Sequence, residues 1–142
     1  MGTVALQDIT VVTLARISTA GGEVMHALKS SDSTFVGFGE AYFSRADFNW
    51  PKAWKRHTKM TMNLIVPVGT VRFVFHVEGR EEFRVEEVGS KRYSRITVPP
   101  SVWFGFKGLE LQSNLVLNIA STPHDPAEVE RKSVNDFKYD WN

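Results

Sequence analysis

Apolar and polar residues alternate with a period of two along much of this chain, and Gly or Pro breaks the pattern every ten to twenty residues or so. Val71-Arg-Phe-Val-Phe-His-Val77 shows the alternation: Val71, Phe73, Phe75 and Val77 fall on one face, Arg72, Val74 and His76 on the other. Runs rich in Val, Ile, Phe, Thr and Tyr predict strands at Thr10–Ile17, Glu23–Leu28, Thr34–Ser44, Met62–Val68, Val71–Val77, Phe83–Val88, Arg92–Val98, Ser101–Phe106 and Leu111–Ala120. Strands this close together, separated by turns, imply antiparallel pairing in a sandwich or barrel. One short helix is expected after Asp125, with Asp as N-cap, Pro126 at the first position and Glu128 completing a capping box, running to about Arg131 or Lys132. Nine strands and a short C-terminal helix are the pattern of an all-β, antiparallel jelly-roll barrel. A single domain is expected over residues 1–142, with the aromatic tail Asp136–Trp141 packed on the barrel or on a partner subunit.

Composition narrows the function. The net charge is +1, so a broad basic face for nucleic acid is not expected. There is no cysteine, which removes disulfides, thiolate nucleophiles and thiolate metal sites. The apolar stretch Leu6–Ile17 is interrupted by Gln7, Asp8 and Arg16, and no run of about 18 apolar residues exists. Neither a signal peptide nor a membrane partner is expected, and the location predicted is cytoplasmic.

Candidate chemistry concentrates in Trp54-Lys-Arg-His-Thr-Lys59, which joins Lys55, Arg56, His57 and Lys59 to the strand Met62–Val68 and the turn Pro67-Val-Gly69. A base and several anion-binding side chains beside a strand suit a cavity wall. A second turn and aromatic strand, Val98-Pro-Pro-Ser-Val-Trp-Phe-Gly-Phe-Lys-Gly108, follows about thirty residues later. Asn63 and Asn118 interrupt apolar strands, and a buried amide needs partners, so either one marks a polar cavity. Arg72 and His76 face either the barrel interior or solvent. Tyr42 and Tyr93 are possible proton donors, and Trp103 is either core or a stacking surface.

Taken together, Gly39-Glu-Ala-Tyr-Phe-Ser44, Lys52-Ala-Trp-Lys-Arg-His57, Asn63-Leu-Ile-Val-Pro-Val-Gly69, Val98–Phe106, Pro123-His-Asp-Pro-Ala-Glu128 and the Tyr-Asp-Trp ending resemble the sugar-nucleotide cupins. The likeness is to the short relatives of the dTDP-4-dehydrorhamnose 3,5-epimerase family. Where metal-binding cupins carry ligands, this chain has Lys55, His57, Thr61 and Trp103 or Phe104; neither a metal nor another cofactor is expected. The resemblance implies a homodimer acting on a nucleotide-linked 4-keto-6-deoxy sugar. It makes His57 the base that removes a proton next to the ketone, with Lys59 or Tyr42 stabilising the enolate. Lys55, Arg56 and Arg72 would hold the diphosphate, with Asn63 and Trp103 as further substrate contacts. The family's lysine falls at Met62, its tyrosine belongs on Leu115–Ala120, and Asp136 is the acid nearest the place of its aspartate. A 3,4-ketoisomerase of the same fold and a sugar-nucleotide or carbohydrate binder without turnover are the alternatives.

Overall fold

The computed structural model describes residues 3–142. Twelve strands are found among them: β1 (Thr10–Thr13), β2 (Arg16–Thr19), β3 (Gly22–Met25), β4 (Glu40–Arg45), β5 (Lys52–His57), β6 (Met62–Val68), β7 (Thr70–His76), β8 (Phe83–Gly89), β9 (Ser94–Val98), β10 (Trp103–Gly108), β11 (Leu115–Ala120) and β12 (Val129–Arg131). Two five-stranded antiparallel sheets form the jelly roll. One runs β1-β9-β6-β11-β4 and the other β12-β5-β10-β7-β8, while β2 and β3 make a separate hairpin.

Alternation directs every second side chain of each sheet into the space between them. Met62, Leu64, Ile96 and Val98 from the first sheet meet Val71, Phe73, Phe75 and Phe104 from the second in one continuous core. The expected split of β7 holds: Phe73 and Phe75 are fully buried in that core, while Arg72 and His76 belong to the outer face.

The outer face of the β5–β8 sheet carries a second apolar cluster. Trp54, Val74 and Trp103 are covered by Phe137, Tyr139 and Trp141 of the C-terminal tail. The tail therefore packs on its own barrel, one of the two places expected for it. Gly105 seats it: a Cβ there would lie 2.6 Å from Ala53 Cβ and 3.1 Å from the Trp141 ring. The buried Lys107 ammonium fixes the end of the tail by donating to the Trp141 carbonyl, and to Asn49 Oδ1 at 2.8 Å.

Several expectations are corrected. The C-terminal helix is a single 3-10 turn, Pro126–Glu128, after which the chain extends as β12 along the edge of β5. Asp125 does cap, accepting from the Ala127 N–H at 3.0 Å. The Glu128 carboxylate, however, is drawn inward to His57 and to two backbone amides of the β5–β6 turn, so it cannot close a capping box. Lys52–His57, read as a basic lead-in, is a full strand. Of Thr34–Ser44 only the second half pairs, and Thr10–Ile17 divides at Leu14 and Ala15 into β1 and β2.

Candidate active site

A cavity of about 240 Å³ lies between the sheets, where β4 edges one and β5 with β12 edges the other. Met62, Leu64, Phe104, Phe106 and Val116 give it a mostly apolar lining. Polar groups enter from facing walls: Tyr42 and Asn118 from the first sheet, and Lys52, Lys55 and Arg131 from the second. Tyr42 and Asn118 stand directly opposite in the β4–β11 register, and Asn118 Nδ2 donates to the Tyr42 hydroxyl at 3.0 Å. Asn118 Oδ1, also buried, has no protein partner.

His57 ends β5 on the same face as Lys55. Its ring is 4% exposed and stacks on Phe104, with centroids 6.1 Å apart and planes 18° apart. Nδ1 lies 2.5 Å from Glu128 Oε1, and Glu128 Oε2 accepts from the backbone N–H of Lys59 at 3.0 Å and of Met60 at 3.1 Å. Burial alone would raise the Glu128 carboxyl. The hydrogen bonds from His57 and the two amides outweigh it and hold the group below the ordinary carboxylate value. Burial, aided by Lys55 and Arg131, pushes the His57 imidazole below its ordinary value despite the carboxylate beside it. A neutral ring against an ionised carboxylate keeps its proton on Nδ1. Nε2, buried and without a protein partner, then presents a lone pair. That is the state of a general base ready to act near neutral pH.

Three cations gather at the cavity, Lys52, Lys55 and Arg131, whereas the Lys132 ammonium lies over the Trp103 and Phe137 rings of the outer face. Arg131 comes opposite Lys55 in the β12–β5 register, and neither forms an ion pair among the described residues. Burial, then the neighbouring charges of Arg131 and Lys52, lowers the Lys55 pKa. Unpaired cations converging on an apolar cavity favour an anionic ligand, because the ligand supplies the counter-charge the fold omits.

No protein-family model and no curated protein sequence matches this chain. Among solved structures, a dTDP sugar isomerase from Desulfovibrio desulfuricans G20 superposes with a TM-score of 0.88 at 33% identity, over 94% of this chain and 90% of that one. This chain belongs to that family of short sugar-nucleotide cupins. Two more distant cupins share the fold. The sugar 3,4-ketoisomerase QdtA from Thermoanaerobacterium thermosaccharolyticum, solved with TDP, gives a TM-score of 0.77 at 18% identity, over 90% of each chain. The 3'-monoepimerase ChmJ from Streptomyces bikiniensis, solved with dTDP as a double mutant, gives 0.80 at 10%, over 96% of this chain and 74% of that one.

Within this cupin, the residues singled out by sequence separate into two groups. Tyr42 and Lys55 line the cavity, and His57, itself not a lining residue, stacks on Phe104, which is one. The others lie elsewhere. Arg56, one residue from Lys55, points to the outer face, where it pairs with Glu78 at 3.2 Å and Glu130 at 2.9 Å. Trp103 shares that face, donating to Glu78, and Arg72 pairs there with Glu87 at 2.7 Å. The Lys59 side chain is exposed and only its backbone reaches the site. Asn63 faces away from the cavity, bonded to Thr34 and Thr97. Asp136 caps the turn at Ser133 and is not the partner of His57.

Three contributors escaped the sequence reading: Lys52, Glu128 and Arg131. Glu128 was spent on a helix cap, Arg131 was placed at the end of that helix, and Lys52 figured only within the motif Lys52–His57. The signal available was the Val-Glu-Arg alternation after Glu128, which suits an edge strand as well as a helical turn.

Proposed function

We propose that this protein is an epimerase or isomerase acting on a nucleotide-linked 4-keto-6-deoxy sugar, with the His57–Glu128 pair as its base. The observation that carries this reading is a buried histidine, held through Nδ1 by a buried carboxylate, with Nε2 free of any protein partner and its ring stacked on Phe104 of the cavity lining. His57 Nε2 takes a proton from the carbon next to the C4 ketone, and the electron pair passes to O4 as an enolate. Lys55, half-buried on the inner face, offsets that charge, and Lys52 and Arg131 hold the diphosphate. Tyr42 stands on the facing sheet and returns a proton to the carbon from the other side. His57 then releases its proton and Tyr42 regains one, so the net change is configuration alone.

The facing tyrosine favours epimerisation over a 3,4-ketoisomerase, in which the proton moves to C4 and the carbonyl to C3. The relatives named with TDP or dTDP support a thymidine nucleotide. The test is NMR of dTDP-4-keto-6-deoxyglucose incubated with the protein. A 3- or 5-epimer is the expected product, and a 3-keto sugar would assign the ketoisomerase chemistry instead. Unchanged sugar together with thermal protection by dTDP would mean a binder without turnover and would overturn the proposal.

A further inference from the structure

Among the described residues three asparagines are buried, Asn63, Asn114 and Asn118, and two of them hold the fold together. Asn114 Oδ1 accepts from the backbone N–H of Thr70 and of Glu110, and its Nδ2 donates to the carbonyls of Ala46 and Glu110. Asn63 accepts from the Thr97 hydroxyl at 2.6 Å and donates to the Thr34 carbonyl at 3.3 Å. Asn118 ties no backbone. Its one hydrogen bond runs from Nδ2 to the Tyr42 hydroxyl at 3.0 Å, and its Oδ1 has no protein partner. A buried amide satisfied on one side costs stability, and an apolar side chain of similar size avoids that cost. The fold therefore gives no reason for an amide at this position.

The cavity does. Tyr42 and Asn118 both line it, from the paired strands β4 and β11. β4 is the edge of its sheet, so the Tyr42 ring has a neighbouring strand on one side only. A phenol carries one hydrogen to donate and can accept at its oxygen. The oxygen receives the Asn118 N–H, and the hydroxyl's own hydrogen meets no acceptor among the described residues. The amide fixes the oxygen and leaves the O–H for the cavity.

We propose that Asn118 is the positioning residue for Tyr42, holding the phenol oxygen so that its O–H is presented to the sugar carbon. The inference rests on the epimerase reading, in which Tyr42 returns the proton. The same N–H also donates to the phenolate which that transfer leaves behind, and hydrogen bonds to a charged oxygen are the stronger ones.

The test follows two rates by NMR on dTDP-4-keto-6-deoxyglucose in deuterium oxide: deuterium entry next to the ketone, and epimer formation. Asn118→Leu should lower the ratio of epimer formed to deuterium exchanged by about tenfold, the scale of one hydrogen bond. Its thermal midpoint should equal or exceed that of the wild type. Asn118→Ser, whose hydroxyl ends one bond short of Tyr42, should lower the ratio equally. In Tyr42→Phe the amide has no oxygen to hold, so adding Asn118→Leu should change the ratio no further. A wild-type ratio in either Asn118 variant, or losses that multiply in the double variant, would overturn the positioning role and leave the epimerase reading intact. A wild type that forms no epimer would overturn that reading and the positioning role together.

Discussion

Lys55 and Arg56 are adjacent in one strand and have opposite surroundings. Lys55 points between the sheets, half-buried and unpaired, with other cations for neighbours. Arg56 points outward, held by two carboxylates, and its guanidinium lies 4.6 Å from the Trp103 ring centre. The same division runs along the sheet, with Arg72 matched to Glu87 outside and nothing matched to Arg131 at the cavity. Net charge could not have revealed this. A half-buried lysine without a counter-ion costs stability, which a bound anion offsets. The inner face of β5 is therefore read as the site, and the outer face as the surface on which the aromatic tail rests.

The comparison can be broken at its strongest point first. Glu128→Gln keeps the shape but turns an amide N–H₂ toward His57 Nδ1, moving the imidazole proton to Nε2 and removing the base. Turnover should fall by about 10²–10⁴-fold, the scale seen when a catalytic histidine is held in the wrong tautomer. Tyr42→Phe should lower epimer formation by about 10²-fold while exchange of the sugar proton with solvent continues, since His57 can still remove and return it. Lys55→Met should cost turnover and substrate affinity about tenfold each. Arg56→Met, its neighbour, should leave both within about twofold and lower stability by less than about 1 kcal/mol. Equal losses at Lys55 and Arg56 would erase the distinction between the faces.

Stability should follow the same pair of groups. His57 and Glu128 both titrate below their ordinary values of 6.5 and 4.5. The unfolded chain therefore binds more protons than the fold as pH drops through those ordinary values, and stability rises with pH there. The thermal midpoint should climb from acid pH to about 6.5 and flatten above it. In Glu128→Gln the part of that climb near pH 4.5 should shrink.

Much of the fold was legible because strand alternation survives in β6, β7, β9 and β10, whose inner positions are almost uniformly apolar. The basic strand β5 was hidden because its inward residues are Lys55 and His57, which no hydrophobic pattern marks. Its resemblance to a known family found His57 all the same. Sequence spacing could not say that Arg56, Arg72, Asn63 and Trp103 face away from the cavity, since a one-residue change of phase exchanges the two faces of a strand. Glu128 was read from local capping chemistry, whereas its partner lies 71 residues earlier in the chain. Only the β5–β12 pairing brings the two together.

The central claim is that His57 is the base. It is tested most directly by the rate at which solvent deuterium enters dTDP-4-keto-6-deoxyglucose next to its ketone, measured by NMR for the wild type and for His57→Asn across pH 5 to 8. The account predicts wild-type exchange that rises with pH to a plateau, its midpoint below 6.5, and a loss of about 10²–10⁴-fold in the variant at every pH. Exchange that persists in His57→Asn, or a wild type that catalyses none while binding dTDP, would contradict it.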